Sequence, residues 1–328
     1  MKRIHSKQVK TPPGLPRPVN QVERLTAAAS PPTARPYLAC RGSESGCTAN
    51  APRGKAVTIA SAMHPQPLYH ANTVRPAFEL RYSWTGWPMG PRMPAGEHLL
   101  AGVTCLWESD GLRLLEHDWA DDKVQLTFSA TPDVSPALLA GRAKGRLDHA
   151  LRKAVPGYEG FRRKVSVRTV GHNCRQQVEA YVAAQVGAAR FSDPAFEKLL
   201  NEFTVANETV DLFLPTESAH GRYWYNLHLV LVAAERFAMA DRARLTTLRD
   251  RSLAIAKKKG WRISRLAVMP DHLHVALGGD IEQSPREIAL AFQNNLAYAL
   301  GQVRIWADTF YAGTFGEYDI WAIRRCST

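Results

Sequence analysis

The chain has 328 residues, 45% of them hydrophobic and 22% charged, and it holds no run of eighteen apolar residues that would make a membrane span. Its formal charge is +12, yet residues 1–81 carry 12 Lys/Arg against 3 acids while the remainder carries 30 against 27. The basic excess therefore sits in the N-terminal quarter, and composition permits a nucleic-acid partner without requiring one of the rest. Five scattered cysteines (Cys40, Cys47, Cys105, Cys174, Cys326) form no C-x-x-C pair, which argues against a zinc finger or a disulfide framework and for a cytoplasmic protein.

Residues 1–76 are rich in Pro, Ala, Ser and Arg. Stretches such as "TPPGLPRPVN" cannot sustain helix or strand, so the reading is a disordered basic, Pro-rich tail. An organelle transit peptide, a true start at Met63, or a basic arm on DNA backbone are the other readings of the same composition.

The rest contains an internal repeat. Gly111–Leu151 aligns without a gap on Gly260–Leu300 at an offset of 149 (260 − 111), with nine of 41 positions identical, including the Ser-Pro pair. Beyond one small gap, "VRTVG" (167–171) corresponds to "AGTFG" (312–316). This organisation predicts one domain over 77–186, a linker over 187–219 and a second domain over 220–328. In chain order, the second copy reads as a strand near Trp224–Ala233, a basic helix near Arg242–Lys259 ended by Gly260, a strand over Trp261–Met269 and a Pro270-Asp271 turn. A strand over His272–Leu277, a helix capped by Ser284-Pro285 and running to Leu300, and a strand near Trp306–Tyr311 follow. That order predicts an α+β sandwich with an antiparallel sheet.

The strand after the turn reads "HLHVAL". Residues two apart on a strand share a face, so His272 and His274 project together while Leu273 and Val275 face the core. Such a pair can bind a divalent metal, or it can be two half-exposed strand histidines; the spacing alone does not decide. The wider context "VMPDHLHVAL", a Ser-capped helix and "FYAGTFG" resembles the IS200/IS605-like single-tyrosine transposases, members of the HUH endonuclease class. The resemblance spans nearly all of residues 77–328 as two copies.

The resemblance implies two ferredoxin-like (RRM-like) domains and a nucleophilic tyrosine on a helix after the "GT-h-G" turn. A glutamine one helical turn later would complete a Mg²⁺ or Mn²⁺ site with the histidines. Here the second copy ends in "EYDIWAIRRCST", with Cys326 at the tyrosine position. The first copy reads "HNCRQQVEAYVAAQV", with Tyr181 and Gln185 four apart, but has Lys123 and Gln125 where the histidines belong. Each half carries what the other lacks. The expectation is an intrachain pseudo-dimer with one composite site: Tyr181 as nucleophile, His272, His274 and Gln185 on the metal, and Asp271 behind them as a turn and supporting residue. Tyr311 and Tyr318 are the alternatives within the second half.

The implied partner is single-stranded or hairpin DNA, with a homodimer of pseudo-dimers as a further option. Arg142, Lys144, Arg146, Arg162, Arg163, Lys164, Lys257, Lys258 and Lys259 are candidate phosphate contacts, although solvated helix faces explain each one singly. Trp84, Trp87 and Trp224 fit core packing better than base stacking. A hairpin-binding protein that has lost cleavage, and a metal enzyme using the histidines alone, are the rival readings.

Overall fold

The computed structural model describes residues 66–236, 239–301 and 304–317. The first 65 residues, which hold most of the expected tail, lie outside the described residues, as do Tyr318 and Cys326. Residues 66–76, read as tail, are instead part of the folded unit. Tyr69 is 1% exposed. Its hydroxyl accepts from the Trp306 backbone N–H at 2.7 Å and donates to the Trp306 carbonyl at 3.1 Å.

Among the described residues, two six-stranded sheets carry the fold. The first contains β1 (Ala77–Glu79), β6 (Thr204–Ala206), β9 (Asn226–Ala233), β10 (Arg262–Val268), β11 (His272–Gly278) and β12 (Trp306–Thr314), in the order β1-β12-β9-β11-β10-β6. The second contains β2 (Arg81–Gly86), β3 (Leu112–Trp119), β4 (Val124–Ala130), β5 (Val165–Val170), β7 (Thr216–Ser218) and β8 (Gly221–Trp224), in the order β3-β4-β2-β5-β8-β7. Read from opposite ends, β1-β12-β9-β11-β10 has the same succession as β8-β5-β2-β4-β3. The central pairings are antiparallel, and each sheet also holds one parallel pair, β1 with β12 and β5 with β8, so neither is the purely antiparallel sheet expected.

The parallel pairs arise because the chain changes sheets in mid-strand. β1 lies in the first sheet and runs into β2 of the second; β8 lies in the second and runs into β9 of the first. The single strand expected over Trp224–Ala233 is thus two strands parted at Tyr225. The stretch 187–219 is more than a connection, since it supplies an edge strand to each sheet, β6 to the first and β7 to the second.

Helices cover the sheets as the sequence directs. α1 (Leu100–Ser109), α2 (Pro136–Ala154) and α3 (Arg175–Ala183) lie in the first half of the folded chain, α4 (Gln185–Ala188) and α5 (Pro194–Asn201) follow them, and α6 (Arg242–Lys259) and α7 (Pro285–Ala299) lie in the second half. Ser135 and Ser284 cap α2 and α7 in the same way, each accepting from a backbone N–H three residues on at 3.2 Å and each followed by Pro at the first helical position. α6 ends at Gly260, whose φ of 73° is a left-handed cap that suits glycine. Leu227, Leu229 and Leu231 of β9 and Leu273, Val275 and Leu277 of β11 point into the main core, where Leu248 and Ala256 of α6 and Ile288 and Phe292 of α7 meet them.

Candidate active site

Alternation sends the other face of the first sheet away from that core. His272, His274 and Ala276 of β11, His228 of β9 and Ala267 of β10 lie there. Helix α3, which comes from the first half of the folded chain, packs on this face. Its Val178 and Val182 form a small buried cluster with Ala267, Ala276, Leu212 and Phe315. The two alanines leave room for the helix to approach the sheet.

The start of α3 is fixed by a junction between the two "T-h-G" turns. The Gly171 Cα faces the Thr314 carbonyl so closely that a Cβ would lie 2.2 Å from its oxygen. The Arg175 N–H donates to the Gly316 carbonyl at 2.8 Å. Two buried threonines lace the junction reciprocally. Thr169 accepts from the Asn226 N–H at 3.1 Å and donates to the Phe315 carbonyl at 2.7 Å, and also to that of Trp224. Thr314 accepts from the Arg81 N–H at 2.8 Å and donates to the Val170 carbonyl at 2.7 Å, and also to that of Glu79. The partners match at one offset: 314 − 169, 226 − 81, 315 − 170 and 224 − 79 all equal 145.

This docking brings Tyr181 to the histidines. Its ring centroid lies 5.6 Å from that of His274 and 5.8 Å from that of His228, edge-on to both. Tyr181 is 38% exposed. His272 lies 4.8 Å from His274. It donates Nδ1–H to Asp271 Oδ1 at 2.6 Å, which orients the ring. The turn that sets this up is tight, closed by the Met269 N–H on the His272 carbonyl at 2.9 Å. Neither histidine is half-exposed: His274 has no exposed surface and the His272 side chain is 17% exposed.

His228 is the member that sequence reasoning missed. Its Nε2 sits 3.1 Å from His274 Nδ1, with the two rings 14° from parallel. Burial pushes the His228 imidazole down to about 4 and the His274 imidazole well below its ordinary value, so both are neutral at physiological pH. Tyr311 also lies against His228, with ring centroids 5.9 Å apart, and burial followed by the Glu79 carboxylate pushes its phenol up to about 12. The Tyr311 phenol is thus less readily ionised than one of ordinary pKa.

Of the expected metal ligands, His272 and His274 are brought together. Among the described residues, no three His, Cys, Asp or Glu side chains gather closely enough to hold an ion. His274 Nε2 is buried without a hydrogen-bond partner, as a ligand nitrogen would be. Gln185, the expected third ligand, follows Tyr181 by four residues. It does not share one unbroken helix with Tyr181, because α3 ends at Ala183 and α4 begins at Gln185. Its amide nitrogen donates to the Tyr181 carbonyl at 3.0 Å, closing the end of α3.

At the corresponding place on the second sheet, the counterparts are Gln125 and Ser83 (274 − 149 and 228 − 145). Gln125 Nε2 donates to Ser83 Oγ at 3.0 Å, in the position of the His274–His228 contact.

The expected DNA contacts divide. Arg146 holds Asp110 with two bonds, at 2.9 and 3.1 Å, and Arg142 donates to the Asp110 carbonyl. Lys144 donates to the Arg162 carbonyl at 2.8 Å, and Arg162 to that of Pro88 at 3.0 Å. These four brace the first half. Arg163, Lys164 and Lys257–Lys259 are exposed. Trp84 is fully buried, as expected, whereas Trp224 is partly exposed with the Arg168 guanidinium stacked 3.7 Å above its ring.

Residues 222–325 match the family model described as "Transposase IS200 like". A crystal structure of a candidate transposase from Deinococcus radiodurans R1 is similar at 19% identity and a TM-score of 0.26, over 31% of this chain and 87% of that one. A REP-associated tyrosine transposase bound to a REP hairpin is similar at 14% identity and a TM-score of 0.26, over 31% of this chain and 61% of its own. None of the curated proteins compared matches the chain. No helix among the described residues is long and apolar enough to cross a membrane.

Proposed function

We propose that the protein is a transposase-like enzyme that nicks and joins single-stranded DNA at one composite site, built by a tandem duplication folded as an intrachain pseudo-dimer. The observation that carries the reading is the 5.6 Å approach of Tyr181, from the first repeat, to His274, from the second. The strand exchange and the reciprocal threonines support the duplication. The family match over 222–325 supports the reaction class.

In the reaction, the Tyr181 phenol loses its proton and its Oη forms a bond to phosphorus. The P–O3′ bond breaks, and the departing 3′ oxygen takes up a proton. The product is a 5′-phosphotyrosine link with a free 3′-hydroxyl, and a second 3′-hydroxyl can reverse the step and join strands without ATP. His272, His274 and Gln185 would hold Mg²⁺ or Mn²⁺, which when bound polarises the scissile phosphate. Asp271 fixes the His272 ring, and His274 and His228, kept neutral by burial, add no charge of their own. The partly exposed phenol stands on a helix anchored at its start by Gly316 and along its length by Val178 and Val182. It is therefore held against the sheet while its edge stays open to a DNA strand.

The second reading is a hairpin-DNA-binding protein without cleavage. One observation favours it: the counterpart site on the other sheet holds Lys123, Gln125 and Ser83 and can do no such chemistry, so at most one cleavage centre remains per chain. Incubation of end-labelled single-stranded hairpin DNA with Mn²⁺ separates the two. Nicking by the native chain that is lost in Tyr181→Phe and His274→Ala supports the enzyme. Tight binding with no nick in any of them supports the binding protein.

A further inference from the structure

His228 lies outside the gapless stretch of the repeat alignment and outside the His-x-His pair, yet it makes a nitrogen-to-nitrogen contact with His274. The contact is Nε2 of His228 to Nδ1 of His274 at 3.1 Å, with rings nearly parallel. Two neutral imidazoles meeting nitrogen to nitrogen share one proton between them, so one donates and the other accepts. If His228 donated, His274 would keep its other proton on Nε2, a buried donor with no acceptor. If His274 donates, Nε2 is left as a bare lone pair, and the burial of this nitrogen costs nothing once an electrophile takes it up.

We infer that His228 is a positioning residue: it accepts the Nδ1 proton of His274 and thereby holds the Nε2 lone pair of that ring free beneath Tyr181. The inference rests on the proposed composite site and deepens it. His228 takes the part for His274 that Asp271 takes for His272, so each ring of the pair is oriented by its own acceptor. The structure supplies the parity as well. His228 and His274 are diagonal neighbours on adjacent strands, since Val230 is directly opposite His274 and His228 is opposite Ala276. The counterpart pair on the other sheet keeps the contact with Gln125 and Ser83, in which neither partner is an imidazole.

The test is a long-range ¹H–¹⁵N spectrum of the full chain, metal-free and labelled at histidine nitrogens, with His274 assigned by its loss in His274→Gln. The native protein is expected to carry the His274 proton on Nδ1. His228→Gln, which offers an amide oxygen at the same reach, is expected to keep that tautomer; His228→Leu is expected to lose it. Titration with Mn²⁺ alone, followed by calorimetry, should show affinity falling about tenfold or more in His228→Leu and recovering in His228→Gln. A native His274 protonated on Nε2 overturns the inference, whatever the variants do. So does a folded His228→Leu that keeps both the tautomer and the Mn²⁺ affinity. A native chain with the expected tautomer that nicks no DNA would leave His228's role intact and defeat the proposed reaction instead.

Discussion

Val182→Ala tests how the tyrosine helix is held. Val182 has no exposed surface and is one of the six buried residues that seat α3 on the sheet. Removing two carbons loses about 1.5 kcal/mol of transfer free energy. A residual void of about 40 Å³, were the site unable to collapse, adds about 1 kcal/mol. The sum of about 2.5 kcal/mol corresponds to a factor of about 70 in an opening equilibrium. The cluster is small and separate from the main core, so the loss should fall on local undocking of α3. Hydrogen exchange read by mass spectrometry should show protection of residues 175–183 falling by up to that factor, while β2 and β4 of the other sheet change far less. Equal loss in both places would mean that α3 opens only when the whole molecule does, and would refute the picture of a helix seated by its own cluster.

Other consequences follow from the same geometry. Thr169→Val and Thr314→Val each strip a buried backbone N–H of its acceptor, and each should lower the denaturation free energy by about 1–3 kcal/mol; a large effect of one with none of the other would break the equivalence of the two turns. Gly171→Ala places a Cβ against the Thr314 carbonyl and should lower the melting temperature more than Gly141→Ala, which meets nothing within 4 Å. Arg163→Ala and Lys164→Ala should each reduce the salt dependence of hairpin-DNA affinity by about one unit of slope, whereas Arg146→Ala should leave that slope unchanged. Arg146 acts on stability instead. Its hydrogen bond holds the Asp110 carboxyl below its ordinary range, and a depressed acid stabilises above its unfolded pKa and ceases to do so as pH falls through the folded one. The gap between native and Arg146→Ala in urea unfolding should thus be present at neutral pH and close in acid.

Most of the local elements were legible in the sequence, because their signals are local. The Ser-Pro caps, Gly260 and the period-two run around His272 each depend on a few adjacent residues. The pairing of Tyr181 with the back-half histidines was legible only because each half lacks what the other has. The sheet exchange was not: "GRYWYNLHLVLVA" reads as one continuous strand, and nothing local marks Tyr225 as the point where it leaves one sheet for another. The short edge strands β1, β6 and β7 have three residues each, too few for any periodicity. His228 left a partial signal. It falls out of step with Leu227, Leu229 and Leu231, on the face away from the core. Its contact with His274 depends on the register of β9 against β11, which no spacing within either strand encodes.

The composite site is tested most directly by finding where DNA becomes attached. The native chain, incubated with Mn²⁺ and a single-stranded hairpin substrate, would be digested with trypsin and nuclease and the nucleotide-bearing peptide sequenced by mass spectrometry. A phosphodiester remnant on Tyr181 is the predicted result. A remnant on Tyr311 or Tyr318, or hydrolysis with no adduct while His272→Ala is dead and Tyr181→Phe still cuts, would contradict it.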